Sequence, residues 1–149
     1  MTQERHVMVP SVYVVMMNED EKVLAVLRKN TGYMDGYWGL PAGHVEKDEL
    51  PIKGVIREAK EEIGVEINPE DLNFVHLMIR EAHDITGERV DIFFESNNWS
   101  GEPQNMEPDK HGGMDWIDPH SDSTPMVPYE REAINYIAEG IKYSEWKEE

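Results

Sequence analysis

Between Leu50 and Val65 two stripes of opposite character run side by side at helical spacing. With Glu58 set at zero and about 100° per residue, Ile52, Val55, Ile56, Ala59 and Ile63 occupy an arc of roughly 60° to 160°. Glu58, Glu61 and Glu62 fall beside it, between about −60° and +40°. The apolar stripe must be buried against another layer, so this segment fixes a helix packed on a core. The carboxylate stripe then lies at the rim of that contact. Like charges at these spacings cost a few tenths of a kcal/mol per pair in a solvated helix, and the cost turns into a gain when a hard divalent cation sits among the oxygens. Arg57, four residues before Glu61, is placed to hold it. Taken alone, such a run in an acidic chain reads first as a solvated face.

The charge balance limits the partners. Fourteen Lys and Arg against 31 Asp and Glu give 14 − 31 = −17, which opposes non-specific attraction to duplex nucleic acid or anionic lipid. A phosphate ligand would need a metal ion to neutralise it. With no cysteine, disulfides, thiolate zinc sites and cysteine nucleophiles are excluded, and any metal is held by oxygen or His. An oxygen-rich set suits Mg²⁺ or Mn²⁺. The opening MTQERHVMVP has no leader pattern and no stretch approaches a membrane span, so a soluble cytoplasmic protein is expected. The 149 residues predict one domain over 1–149.

Along the chain, residues 6–17 and 22–28 read as two strands of a hairpin around Asn18-Glu19-Asp20. A Gly- and Pro-punctuated segment follows, and Asp48 is expected to cap the helix beginning near Leu50. Residues 74–82 and 89–96 read as a second hairpin within one sheet. Residues 101–113 form a long loop and 114–117 a short strand. A closing helix is expected over about 128–140, followed by a frayed tail.

Gly43, Glu49, Arg57, Glu58, Ala59, Glu61, Glu62, Gly64 and Val65 satisfy Gly-x5-Glu-x7-Arg-Glu-U-x-Glu-Glu-x-Gly-U, with U apolar. Residues 43–65 thus resemble the Nudix box at every defining position, and the surrounding elements extend the resemblance over nearly the whole chain. It implies an α/β fold, the Nudix-type α/β/α sandwich with a mixed β-sheet, and a Mg²⁺-dependent hydrolase (Mn²⁺ as the other candidate) of a nucleoside diphosphate linked to another moiety. Carried over, Glu58 and Glu62 are the principal metal ligands. Glu61 is a further ligand or takes part in proton transfer, and the Gly43 carbonyl adds an oxygen. Arg57 orients the carboxylates, Glu49 ties the loop to the helix, and Gly64 closes the box. Glu107, on the loop before the last strands, resembles the family's general base as much as an ordinary acidic loop residue. The resemblance also implies a homodimer. Two positions depart from the usual pattern: His44 stands for a second glycine, and Gly54 sits in the first helical turns.

Substrate is less marked. Met78-Ile79-Arg80-Glu81-Ala82 offers neither the tyrosine of dinucleoside polyphosphate hydrolases nor the proline of ADP-ribose hydrolases, which leaves a MutT-like (deoxy)nucleoside triphosphate pyrophosphatase acting on an ordinary or modified nucleotide. A nucleotide-sugar hydrolase is the alternative, since GYW-x-x-P-x-G-x-V-x-KDE also resembles the GDP-mannose branch, and a non-catalytic nucleotide- or metal-binding module of the same fold is the other. Arg28 is placed to meet a phosphate or to end as a solvated edge residue. Tyr33, Tyr37 and Trp38 are candidates for stacking on a base or for packing. His111, Asp115 and Trp116 follow the long loop and are candidates for the border of a base pocket, whereas His83 and Asp84 read as turn residues.

Overall fold

In the computed structural model, which describes residues 4–148, strand β1 (Val9–Met16) is buried from Ser11 onward on both faces. Residues 1–3 and 149, the ends of the expected 1–149 unit, lie outside the described residues. Its alternation separates two cores. Val12, Val14 and Met16 pack with Val55, Ala59 and Ile63 of helix α1 (Pro51–Ile63), whereas Tyr13 and Val15 pack with Tyr129, Ala133 and Ile134 of the closing helix. Side chains that point alternately up and down a strand thus bind a helix to each face, which is the expected α/β/α arrangement.

Strand β2 (Val23–Arg28) repeats this alternation, Leu24 and Val26 facing the α1 side and Val23 and Ala25 the other. The expected first hairpin is nonetheless corrected. Only Met17 and Val23 form a bridge across the 18–22 turn; the strands then diverge into different sheets. A strand apolar on both faces needs cover above and below wherever it lies, so composition did not specify its partner. After β2 come the short strands β3 (Trp38–Gly39) and β4 (Ala42–His44), then β5 (Asn73–Arg80), β6 (Arg89–Ser96), β7 (His111–Ile117), helix α2 (Pro128–Ala138) and β8 (Tyr143–Trp146). The larger sheet has order β4-β1-β6-β5-β8 and the smaller β3-β2-β7. The larger is mixed: β1–β6 and β5–β8 are parallel, β1–β4 and β5–β6 antiparallel.

Several expected boundaries move. Leu50, not Asp48, is the N-cap of α1 and offers no side-chain cap; Pro51 starts the helix with its fixed φ, while Asp48 adopts a left-handed turn at φ 64°. Ile52 is exposed, and the apolar face begins at Val55. Strand β7 starts at His111, three residues earlier than expected. The closing helix ends at Ala138, and the tail forms β8 instead of fraying. Buried His76 explains this: one ring nitrogen meets the Ile141 carbonyl and the other Ser144 Oγ, each at 2.7 Å. Trp146 adds an edge contact with Tyr129. No helix among the described residues is long and apolar enough to cross a membrane.

Candidate active site

The C-terminal half of α1 places its carboxylates over the end of β4. Gly64 ends the helix in the left-handed region at φ 71°, its N–H donating to the Lys60 carbonyl at 3.1 Å. That conformation is routine only for glycine. Gly43 meets a different demand, because a Cβ there would overlap the Glu58 carboxyl group. The glycine lets a carboxylate lie directly on backbone. Gly54 likewise admits the Glu49 carboxylate, whose Oε1 would stand 3.0 Å from an added Cβ.

Arg57 organises this end. Its Nε donates to Glu49 Oε2 at 2.8 Å and its Nη2 to Glu49 Oε1 at 3.1 Å, a two-point grip. Nη2 also donates to the His44 carbonyl at 3.1 Å, while Nη1 reaches Glu58 Oε1 at 2.7 Å and Glu61 Oε2 at 3.2 Å. His44 therefore contributes its backbone to the loop–helix junction. The Arg57 bonds, with that from the Glu46 N–H, hold the Glu49 carboxyl down at about 2. Arg57 itself is raised above the usual guanidinium range, chiefly by Glu49 and then by Glu58.

Glu58 and Glu62 behave oppositely. Glu62 is 8% exposed, and its one protein donor among the described residues is the Ala42 N–H, at 3.2 Å from Oε2. Burial, then the neighbouring charges of Glu58 and Glu107, raises its pKa well above the ordinary carboxyl value. Burial also raises Glu58, against the pull of Arg57. Two adjacent, partly desolvated carboxyls with too few donors form an incomplete electrostatic unit. A divalent cation bound there would complete it and favour the ionised form of both carboxyls. The donor set, carboxylate oxygens beside a backbone carbonyl, fits Mg²⁺ or Mn²⁺. Glu107 faces them from the long loop, which is tied to the end of α1 by Gln104 N–H to Ile63 O at 2.9 Å and Met106 N–H to Glu62 O at 3.0 Å.

This acidic mouth opens into a deeper chamber of about 290 Å³. Arg28, Ala42, Gly43, His44, Glu62 and His111 line both parts. Arg28 is fixed by Nε donating to the Tyr33 carbonyl at 2.9 Å and Nη2 to Thr31 Oγ1 at 3.1 Å. Tyr33 stacks on His83 with ring centres 4.3 Å apart. Neither Tyr37 nor Trp38 lines the cleft. Tyr37 is 38% exposed in a turn, and Trp38 packs on the α2-side core and over Gly113. These two expected stacking residues are separated from the site because the β3 backbone is drawn toward Pro125 and Val127: Trp38 N–H donates to Pro125 O and Val127 N–H to Trp38 O. His111 lines the cleft, but Asp115 and Trp116 do not, and Trp116 stacks on Trp99 instead.

The chamber also contains residues that sequence reasoning did not single out. Arg80 pairs with Asp91 in the interior, lies 3.8 Å over the Tyr129 ring, and leaves Nη1 without a hydrogen-bond partner among the described residues. Tyr13 Oη donates to Asp91 Oδ1 at 3.1 Å. Glu130, 4% exposed, accepts the Leu40 N–H at 2.7 Å, and burial holds its carboxyl up at about 7. A signal was present for each. Glu130 shares the apolar stripe of Ala133, Ile134 and Ile137, while Arg80 and Asp91 fall in register with inward Met78 and Phe93. His83 and Asp84, expected only to turn the chain, also line the chamber.

The model for the NUDIX domain matches residues 7–136. The chain is 27% identical over 127 residues to the uncharacterized Nudix hydrolase YvcI of Bacillus subtilis, covering 84% of this chain and 77% of that one. It is 29% identical over 89 residues to the 8-oxo-dGTP diphosphatase of Proteus vulgaris, covering 59% and 75% respectively. Its fold matches the crystal structure of the MutT NUDIX hydrolase from Burkholderia pseudomallei with a TM-score of 0.77 at 23% identity, over 87% of this chain and 98% of that one. A family match spanning most of the chain, joined to this acidic mouth, leads to one conclusion: the chain belongs to the NUDIX hydrolase family.

Proposed function

We propose that this protein hydrolyses a nucleoside triphosphate, ordinary or modified, to the nucleoside monophosphate and pyrophosphate, using Mg²⁺ or Mn²⁺ held by Glu58 and Glu62 with Glu61 and the Gly43 carbonyl. The observation that carries this reading is the pair of underdonated carboxyls, Glu58 pressed on Gly43 and Glu62 beneath Ala42, at the mouth of a chamber of nucleoside size. A bound divalent ion supplies charge neutralisation of the diphosphate, a lower pKa for the attacking water and stabilisation of the leaving oxygen. Arg57 keeps Glu58 and Glu61 in position through Nη1. Glu107 accepts the proton of the attacking water as its oxygen joins phosphorus and the bridging P–O bond breaks. Arg28, common to mouth and chamber, meets a phosphate oxygen.

The Proteus vulgaris relative, by its name an 8-oxo-dGTP diphosphatase, supports a triphosphate over other nucleoside diphosphate derivatives. The test is a panel of triphosphates, nucleotide sugars and dinucleotides incubated with Mg²⁺, with products resolved by chromatography. Pyrophosphate together with a nucleoside monophosphate is the expected outcome. Release of a free sugar or sugar phosphate would select the nucleotide-sugar alternative, and no turnover on any compound would select a binding module.

A further inference from the structure

Five buried side-chain polar atoms lack a hydrogen-bond partner among the described residues, and four of them, Tyr33 Oη, Arg80 Nη1, His83 Nδ1 and His111 Nδ1, belong to residues lining the chamber. Folded proteins seldom leave such groups unpaired, and their gathering around one cavity marks a surface that a ligand satisfies. Arg80 is the most informative of the four, because a guanidinium donates and never accepts. It is 3% exposed, Nε and Nη2 both donate to Asp91, and Cζ lies 3.8 Å from the centre of the Tyr129 ring. These contacts fix the guanidinium and leave one nitrogen, Nη1, for a ligand.

The residue after Tyr129 supplies the complementary group. Glu130 Oε1 accepts the Leu40 N–H, whereas Oε2 takes no hydrogen bond among the described residues. Burial pushes this carboxyl up to about 7, against the pull of the Leu40 N–H, Arg28 and Arg80, so an N–H donor arriving at Oε2 favours its ionised form. A fixed donor and a free acceptor in one chamber ask for a ligand edge that carries an acceptor beside an N–H. Guanine, uracil and thymine each have that edge, a ring carbonyl next to a ring N–H, which is a lactam. Adenine and cytosine present an amino group beside a bare ring nitrogen, the reverse order. We infer that Arg80 and Glu130 read the base and select a lactam, Arg80 Nη1 donating to the ring carbonyl and Glu130 Oε2 accepting from the neighbouring ring N–H. An amino base sets an N–H against a group that cannot accept it, and both are desolvated without a bond. The inference rests on the reading of the cleft as a nucleotide site and goes beyond it by naming the class of base.

The test compares wild type with Glu130→Gln, in which the amide oxygen keeps the Leu40 N–H and the amide nitrogen faces the chamber as a donor. With Mg²⁺ present, kcat/KM is measured for guanosine, inosine, uridine, adenosine and cytidine triphosphates, and calorimetry gives the dissociation constants of the five monophosphates. Wild type is expected to favour each lactam at least about tenfold over the amino base of the same ring size, in turnover and in binding. Inosine should rank with guanosine, since it keeps the lactam and lacks only the 2-amino group. Glu130→Gln is expected to lose at least about tenfold on the lactams while the amino bases hold or gain. A variant that scales all five alike assigns Glu130 a structural role and overturns the inference, as does wild type that treats lactam and amino bases equally. Should the variant not fold, the wild-type ranking decides alone. Turnover without base preference overturns the inference and leaves the hydrolytic proposal standing. Lactam-selective binding without turnover of any triphosphate does the reverse, and no binding of any nucleotide overturns both.

Discussion

The acidic mouth and the chamber behind it are built from the same residue types for opposite ends. At the mouth Glu49, Glu58 and Glu61 share one Arg57, Glu62 lies beside them with the Ala42 N–H as its donor, and after that arginine has made its bonds the carboxylates remain in excess. In the chamber Arg80 and Asp91 pair directly, Arg89 has Asp84 at 3.4 Å, and Tyr13 completes Asp91. The first region keeps an excess of carboxylate that a divalent cation would neutralise, whereas the second pairs Arg80 with Asp91 and carries Glu130 as a carboxyl that burial pushes up to about 7. Charged residues in a cleft do not all do chemistry; the uncompensated ones mark where an ion is needed.

The largest separation of the two regions is expected from Glu58→Gln and Glu62→Gln. Each removes a charge but little volume, so kcat is expected to fall by about 10³-fold or more, on the order of 4 kcal/mol. The midpoint of urea denaturation of metal-free protein should hold or, for Glu62→Gln, rise, since a buried carboxyl short of donors is replaced by a neutral one. Near-normal turnover at saturating Mg²⁺ would break the comparison at its stronger side.

The chamber should respond in the opposite sense. Arg80→Met leaves Asp91 buried without its cation, and breaking such a pair costs about 3–5 kcal/mol. Urea denaturation should show that loss directly. A mutant with unchanged stability and abolished turnover would mean that Arg80 acts on substrate alone and that its pairing with Asp91 contributes nothing to folding.

Glu130 sharpens the contrast through pH. Its folded-state carboxyl sits at about 7, above the ordinary value near 4.3 expected on unfolding. A raised pKa contributes stability that is complete below the unfolded value and lost as pH rises through 7. Glu130→Gln keeps an acceptor for the Leu40 N–H and removes the titration. Relative to wild type it should therefore gain on the order of 2–3 kcal/mol between pH 4.5 and 8. Denaturation curves at both pH values measure it, and a pH-independent difference would contradict the assignment.

The smallest effect is expected at Glu49, whose carboxyl lies at about 2. Here the sign reverses: the stabilisation is present above the unfolded carboxyl value near 4.3 and is lost as pH falls toward 2. Glu49→Gln should flatten the acid limb of thermal unfolding over that window, and reduce turnover about tenfold by loosening Arg57. An acid limb identical to wild type would show that the Glu49–Arg57 contact contributes nothing to folding.

The mouth was legible in the sequence because its residues belong to one helix and the loop before it. Helical spacing alone put Glu58, Glu61 and Glu62 together, and the resemblance added the Gly43 carbonyl, while the seating of the Glu58 carboxyl on Gly43 comes from the structure alone. The chamber was not, because Tyr13, Arg80, Asp91 and Glu130 come from three strands and a second helix that only the sheet order brings into contact. Sheet order was hidden for the same reason that β1 and β2 appeared to form a hairpin: strands apolar on both faces carry no mark of which neighbour they take. The tail was misjudged because its anchor, His76, lies far away in sequence. Tyr37 and Trp38 sit close in sequence to Gly43 and the carboxylate-bearing helix, yet the path of β3 turns them away.

The central claim is that the α1 carboxylates bind a divalent cation and that the charged residues of the chamber do not. Titrating metal-free protein with Mg²⁺ by isothermal calorimetry, in the presence of a non-hydrolysable nucleotide, tests it most directly. The account predicts binding heat in wild type and in Glu130→Gln, and its loss in the Glu58→Gln, Glu62→Gln double variant. Undiminished Mg²⁺ uptake by the double variant, or none by wild type, would contradict it.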